Sequence, residues 1–369
     1  MSVIIFIIVL GVLIFVHELG HFLVAKKSGI RVDEFAIGFP PRLFSFTKGG
    51  TRYALNLIPF GGYVKIYGEN AEDESVDPNS KDSFVNKSPW IQAAVLIAGV
   101  TFNIVFAWFL FLIVLMAGSP TIVDQANRDF IKDAKVTITN VYENSPASIA
   151  GLKAGDSIIS ISSKDKNSKI EKNFTGSEVT VKNVQDTIAN SSGAVKFNID
   201  RVGQKSEISI EPKQGIVGDK QAIGVSLEEI GTYALPAHKA FTQSFIMTKN
   251  AVQMISVDLV TFLGKAVIGK ASLNEVSGPV GIVGIVGEAA SFGFIYLLSF
   301  TAFISINLAV LNVLPLPALD GGRLVMVLIE GVTKKKIKPT IVNWVNGLGF
   351  LVLILLMIVI TVNDVVKLF

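Results

Sequence analysis

The chain holds three histidines, and two of them stand four residues apart in His17-Glu18-Leu19-Gly20-His21. On a helix, positions i and i+4 share a face, so both imidazoles can reach one metal ion. The glutamate between them is placed to act as base toward an activated water. The chain has no cysteine. Thiolate zinc sites, iron–sulfur ligation, disulfides and cysteine nucleophiles are thereby excluded, and any metal must be held by histidine and carboxylate. A catalytic zinc site takes three protein ligands and keeps a fourth position open. His238 and Asp320 are the candidates for the third ligand. His238 reads as an interfacial residue on a helix starting near Pro236. Asp320 is the stronger candidate, because it closes a charge-free segment inside Asn312-Val-Leu-Pro-Leu-Pro-Ala-Leu-Asp-Gly-Gly322. Asp320 could also N-cap a following helix, with or without binding metal. Two histidines, one carboxylate and an open position suit zinc, one ion per chain.

These residues sit in a membrane protein's composition. Of 369 residues, 50% are apolar and 17% charged, and the mean hydropathy is +0.54. A net charge of +3 without a basic patch argues against nucleic acid as a partner. Four segments are long and apolar enough to span a bilayer: Val3 to about Ala25, Trp90 to Ala117, a stretch between Ala289 and Leu319, and about Ile341 to Val362. The first has no basic n-region and no small-residue cleavage site, so it reads as a retained span rather than a signal peptide. Lysines and arginines crowd the segments between spans one and two and between spans three and four, which places both segments in the cytoplasm. Both termini and the long segment between spans two and three then face outward. Spans one and three run the same way, and at about 1.5 Å per residue His17 lies about 25 Å into the first. Asp320 lies about as deep in the third, so the two meet in the cytoplasmic third of the bilayer. Pro315 and Pro317 break the third helix there.

The outer segment changes character. Lys135–Val141, Val195–Val202 and Ser206–Glu211 alternate like strands, and Val181–Ala189 has helical spacing. Between them, Ser145-Pro-Ala-Ser-Ile-Ala-Gly-Leu-Lys-Ala-Gly-Asp-Ser-Ile-Ile159 resembles the signature of PDZ domains. That resemblance covers residues 130–215 and implies a groove for a peptide C-terminus or an extended segment; a domain that binds nothing is the alternative. Ser162–Gly176 reads as a flexible polar loop. Residues 237–268 read as an amphipathic helix on the outer membrane surface. Glu69–Asp82 reads as a mobile acidic loop. Thr51–Ile58 alternates and Gly61-Gly62 precedes Tyr63-Val-Lys-Ile66, which predicts a β-hairpin at about 50–68 turning at Gly61 and Gly62. Asn103, Asn307 and Asn312 lie inside spans, where an amide must find a partner. Asn103 or Asn312 serves either substrate and oxyanion binding or helix–helix contact.

His17-Glu-Leu-Gly-His21, Phe60-Gly-Gly-Tyr-Val-Lys65, Ala98-Gly-Val-Thr-Phe-Asn103, the PDZ signature, Ser277-Gly-Pro-Val-Gly281 and Asn312 to Gly322 together resemble the bacterial site-2 proteases, intramembrane zinc metalloproteases of the regulator-of-sigma-factor type. Two departures stand out: one PDZ signature where well-known members carry two, and Val100 where proline is frequent. The resemblance implies zinc on His17, His21 and Asp320, Glu18 as general base, and an extended substrate held beside Gly61, Gly62 and Tyr63. It implies an endopeptidase of the bacterial inner membrane that cuts single-span proteins of the anti-sigma-factor type, already cleaved outside the membrane, with remnant signal peptides as a second substrate class. The expected fold is a polytopic α-helical membrane protein with four transmembrane helices, a cytoplasmic, membrane-associated β-hairpin and an inserted extracytoplasmic α+β PDZ domain. The expected division is 1–117 for the first half of the core, 118–233 for the outer region, 234–293 for the surface helix and following loop, and 294–369 for the second half.

Overall fold

The computed structural model describes residues 1–369 except 70–76, 78, 125–127, 167–169, 202, 218–219, 271, 273–275 and 368–369. Most of the acidic stretch at 69–82 therefore lies outside the described residues. The chain runs α1 (Ser2–Lys27), β1 (Val32–Lys48), β2 (Thr51–Ile66), α2 (Pro89–Ala117), β3 (Ser119–Ile122), β4 (Ile131–Val141), α3 (Pro146–Ile149), β5 (Ser157–Lys164), β6 (Glu171–Thr175) and α4 (Val181–Ala189). It continues through β7 (Val195–Arg201), β8 (Gln204–Ile210), β9 (Lys213–Val217), β10 (Lys220–Ala222), β11 (Val225–Tyr233), α5 (Ala237–Val267), α6 (Pro279–Ser291), α7 (Phe294–Val313), α8 (Asp320–Thr333) and α9 (Pro339–Val366). It forms two compact units, Met1–Val114 with Ala237–Phe369, and Leu115–Pro236.

In the first unit, α1, α2, α7 and α9 are long and apolar enough to cross a membrane. The most apolar stretch of α9 buries none of its residues within the protein. Leu348, Leu351, Leu355 and Ile358 stand exposed along it, a surface that requires apolar surroundings. The third span expected between Ala289 and Leu319 is α7. The stretch before it, expected as a loop, instead carries α6, and the two helices meet at Phe292-Gly293, where Gly293 has φ +112°. Helix α7 then stops before Pro315 and Pro317, as expected, because proline cannot continue the hydrogen-bond ladder.

The hairpin differs from the sequence reading. Its two strands are β1 and β2, paired antiparallel, and the turn is Gly49-Gly50 with φ +58° and +75°. Gly61 and Gly62 lie inside β2. A glycine pair serves a turn and a close backbone approach equally well, and here the second use applies. The long strands fold back on themselves, so that Glu34–Ile37 of β1 lies between residues 62–65 of β2 on one side and residues 52–55 on the other. Aromatic edges hold α1 against this sheet: Phe35 meets Phe15 at 5.8 Å and Phe22 at 5.3 Å between ring centroids. The Tyr63 hydroxyl donates to Glu34 Oε1 at 3.0 Å, and Arg42 pairs with the same oxygen at 2.8 Å. Burial and the Glu34 carboxylate push the Tyr63 phenol above its ordinary pKa, so it stays a donor.

The second unit is a seven-stranded sheet in the order β3-β11-β4-β5-β7-β8, with β6 paired to β5. Ile138, Ile161, Phe197 and Ile199 fill its core, and α4 lays Val184 and Ile188 on it. Thr180 caps α4 by accepting from Asn183 N at 3.2 Å. The stretch expected as a polar loop at 162–176 contributes the end of β5 and all of β6, paired from Ser160–Thr175 to Lys164–Glu171. Its polar residues fit an exposed, half-buried ladder as well as a loop, since the strand pairs through backbone.

Candidate metal centre

Helix α1 places His17 and His21 one turn apart and buried, at 8% exposure each. The face they share is pressed against α2. A Cβ on Gly20 would stand 2.5 Å from Ala98 O, so the two helices approach backbone to backbone at that level. A Cβ on Gly99 would collide with His21 Nε2 and stand 2.7 Å from His17 Cε1. Val95, Gly99 and Asn103 recur at i, i+4 and i+8, so they form one stripe of α2 facing the two imidazoles. Within that stripe, His21 Nδ1 donates to Val95 O at 2.8 Å. This leaves His21 Nε2 free to bind metal, the arrangement by which an outer partner sets a ligand's tautomer.

The third group arrives from the far end of the chain. After α7, Leu314–Leu319 turns the backbone back, with Ala318 at φ +70°, and α8 opens on Asp320. A Cβ on Gly321 would collide with the carbonyls of Val313 and Leu314, so only glycine lets α8 tuck this closely under the end of α7. Asp320 Oδ2 lies 3.0 Å from His17 Nε2 and 3.3 Å from His21 Nε2. The two Nε2 atoms are 3.2 Å apart. The N-cap of α8 is Leu319 and Asp320 is the first residue of the helix, its buried Oδ2 facing the two imidazoles. Among the described residues these three alone form a cluster able to hold a metal ion. His238, in the first turn of α5, is outside it.

The donor set fits zinc. Ligands at about 2.0–2.1 Å on tetrahedral corners stand about 3.3 Å from one another, close to the triangle of 3.0, 3.2 and 3.3 Å measured here. Glu18 follows His17 on α1, and a Cβ on Gly62 of β2 would come within 3.5 Å of Glu18 Cγ. A model of peptidase family M50 matches residues 5–356. The chain belongs to peptidase family M50. A protein of Clostridium acetobutylicum is 34% identical over 365 residues, covering 99% of this M50 peptidase and 97% of its own length. The zinc metalloprotease RasP of Geobacillus kaustophilus is 32% identical over 443 residues, covering 100% of this chain and 98% of its own. The regulator of sigma-W protease RasP of Bacillus subtilis is 29% identical over 445 residues, covering 100% and 99%. The M50 peptidase described here is a zinc metalloprotease of the site-2 type and a multi-pass membrane protein.

Of the remaining residues singled out by sequence, Asn312 Nδ2 lies 3.5 Å from His17 Nε2, at the margin of the metal triangle. Asn103 is fully buried, its Nδ2 3.3 Å from His17 Nδ1. Asn307 is exposed and donates to Phe303 O within its own helix at 3.0 Å. Tyr63 is engaged with Glu34 inside the hairpin. Sequence reasoning missed Val95 and gave Gly99 no role beyond its place in the Ala98–Asn103 motif. Val95 acts through its carbonyl, which its side chain does not announce. Gly99 carried a signal in being a glycine midway along an apolar helix.

Proposed function

We propose that His17, His21 and Asp320 hold the zinc, that Glu18 is the general base, and that the substrates are single-span membrane proteins of the anti-sigma-factor type, already shortened outside the membrane. Remnant signal peptides form a second substrate class. The observation that carries this reading is the convergence of three donor atoms from α1 and α8 within hydrogen-bond distance of one another, next to Glu18 and a strand of the hairpin. Zinc held by these three residues would supply Lewis acidity toward a scissile carbonyl and would lower the pKa of water to about 7. Glu18 accepts the proton of the attacking water and passes it to the leaving amine. Asn312 offers its amide to the substrate backbone or the developing oxyanion.

A helical substrate hides its amides in its own hydrogen bonds, so it must be extended before it is cut. The Gly61–Ile66 part of β2 passes beside Glu18 and supports strand addition there, with Gly61, Gly62 and Tyr63 as its substrate contacts. Leu43, Phe44, Phe46, Leu57 and Ile58 are exposed on the hairpin, which supports its association with the membrane. The lysine and arginine distribution supports cytoplasmic loops after α1 and α8, with both termini and the 115–236 unit outside. That unit is read as a PDZ domain, taking a peptide C-terminus or an extended segment, or filtering substrates by size. The Bacillus relative's name, regulator of sigma-W protease, supports the substrate class. The test is co-expression with a single-span anti-sigma factor lacking its outer domain. Cleavage by the wild type and none by Glu18→Gln is expected; equal cleavage by both would overturn the assignment.

A further inference from the structure

His17 can bind zinc through Nε2 only as the tautomer whose proton sits on Nδ1, because a neutral imidazole has one donor nitrogen and one acceptor. That Nδ1–H is buried and needs an acceptor. The atom next to it is the amide nitrogen of Asn103, at 3.3 Å, which is itself a donor. Meanwhile Asn103 Oδ1, the acceptor of the same amide, is buried with no partner. A half-turn of the amide exchanges the two atoms without altering its shape. With the proton on His17 Nδ1, the orientation as placed leaves both amide atoms unpaired, whereas the turned one pairs His17 Nδ1–H with the amide oxygen. The helix around Asn103 is anchored independently: Ser305 Oγ of α7 donates to Asn103 O at 2.8 Å.

We infer that Asn103 is a positioning residue for zinc, its amide oxygen accepting from His17 Nδ1–H, so that the α2 stripe fixes both histidines, Val95 O holding His21 and Asn103 holding His17. The role rests on the proposed zinc ligation by His17. It differs from substrate or oxyanion binding, which a fully buried amide reaches only by leaving its place. Loss of such an outer partner weakens metal binding by about 10–100-fold. Asp is the telling replacement, since a carboxylate keeps the acceptor and only the acceptor.

The experiment measures the zinc Kd of full-length protein in detergent, stripped by chelator and titrated against a competing zinc dye, for wild type, Asn103→Leu, Asn103→Asp and His17→Ala. The expected result is a Kd about 10–100-fold weaker for Asn103→Leu, near wild type or tighter for Asn103→Asp, and loss of the site in His17→Ala. At saturating zinc, Asn103→Leu should recover part of its kcat with KM unchanged. Wild-type zinc affinity in Asn103→Leu with a depressed kcat would overturn the inference in favour of oxyanion binding. Equal loss in the Leu and Asp variants would overturn it in favour of packing. Full zinc binding by His17→Ala would instead sink the ligand assignment on which it rests.

Discussion

Gly99→Ala adds one methyl group and replaces no proposed ligand, yet the geometry makes it severe. Ordinary contact begins at 3.4 Å, whereas the new Cβ would stand 2.7 Å from His17 Cε1 and 2.9 Å from His17 Nδ1, and nearer still to His21 Nε2. The neighbours on the other side are backbone of α1, because Gly20 already packs on Ala98. The imidazoles must therefore retreat by about 0.5–1 Å or the helices must part. Helix propensity favours alanine by about 1 kcal/mol, and overpacking costs about 1–3 kcal/mol. The net cost is about 0–2 kcal/mol, small enough that the variant should fold. Function should not survive so well: a ligand displaced by about 1 Å costs about 100-fold in rate. The assay is cleavage of a membrane-inserted model substrate together with zinc content, with Gly11→Ala as control, since a Cβ there meets nothing within 4 Å. Wild-type zinc and kcat in Gly99→Ala would refute the close packing of α1 on α2 around the histidines.

Further outcomes follow from other contacts. Glu18→Gln should keep its zinc and lose kcat by at least about 100-fold, the range of a lost general base, measured on the same substrate. In the second unit, Asp156 is fully buried and held by Arg201 at 2.6 and 2.7 Å. Arg201→Ala should destabilise that unit by about 2–3 kcal/mol, less than a fully buried pair because Arg201 is partly exposed; faster hydrogen exchange across β5 and β7 is the check. Asp364 of α9 accepts from Gly281 N at 2.8 Å at the start of α6, so Asp364→Ala should cost about 1 kcal/mol in the manner of a lost cap. It should loosen residues 279–291 in hydrogen exchange while leaving zinc content unchanged.

The metal chemistry was legible because it is local or punctuated: His17 and His21 share a helix face by spacing alone, and Pro315 and Pro317 mark where the chain must turn before Asp320. The four long apolar helices were legible from composition. Strand β1 was not, because Phe39-Pro40-Pro41 and its charged residues hide a strand whose partners are set by long-range pairing with β2. Gly61-Gly62 read as a turn because glycine's permissiveness does not say which of its uses applies. Helix α6 was hidden for the same reason, because its glycine-rich start after Ser277 reads as a loop. The contacts of Val95 O, Gly99 and Asn103 with the histidines depend on how α2 lies against α1, which no spacing along one helix specifies.

The central claim is that one zinc ion is held jointly by α1 and α8. Zinc content per purified chain, measured for wild type, His17→Ala and Asp320→Ala, tests it most directly. One zinc in the wild type, strongly reduced in both variants while each stays folded and monodisperse, is the predicted result. A folded wild type that takes up no zinc on resupply, or an Asp320→Ala variant that binds it as tightly as the wild type, would contradict it.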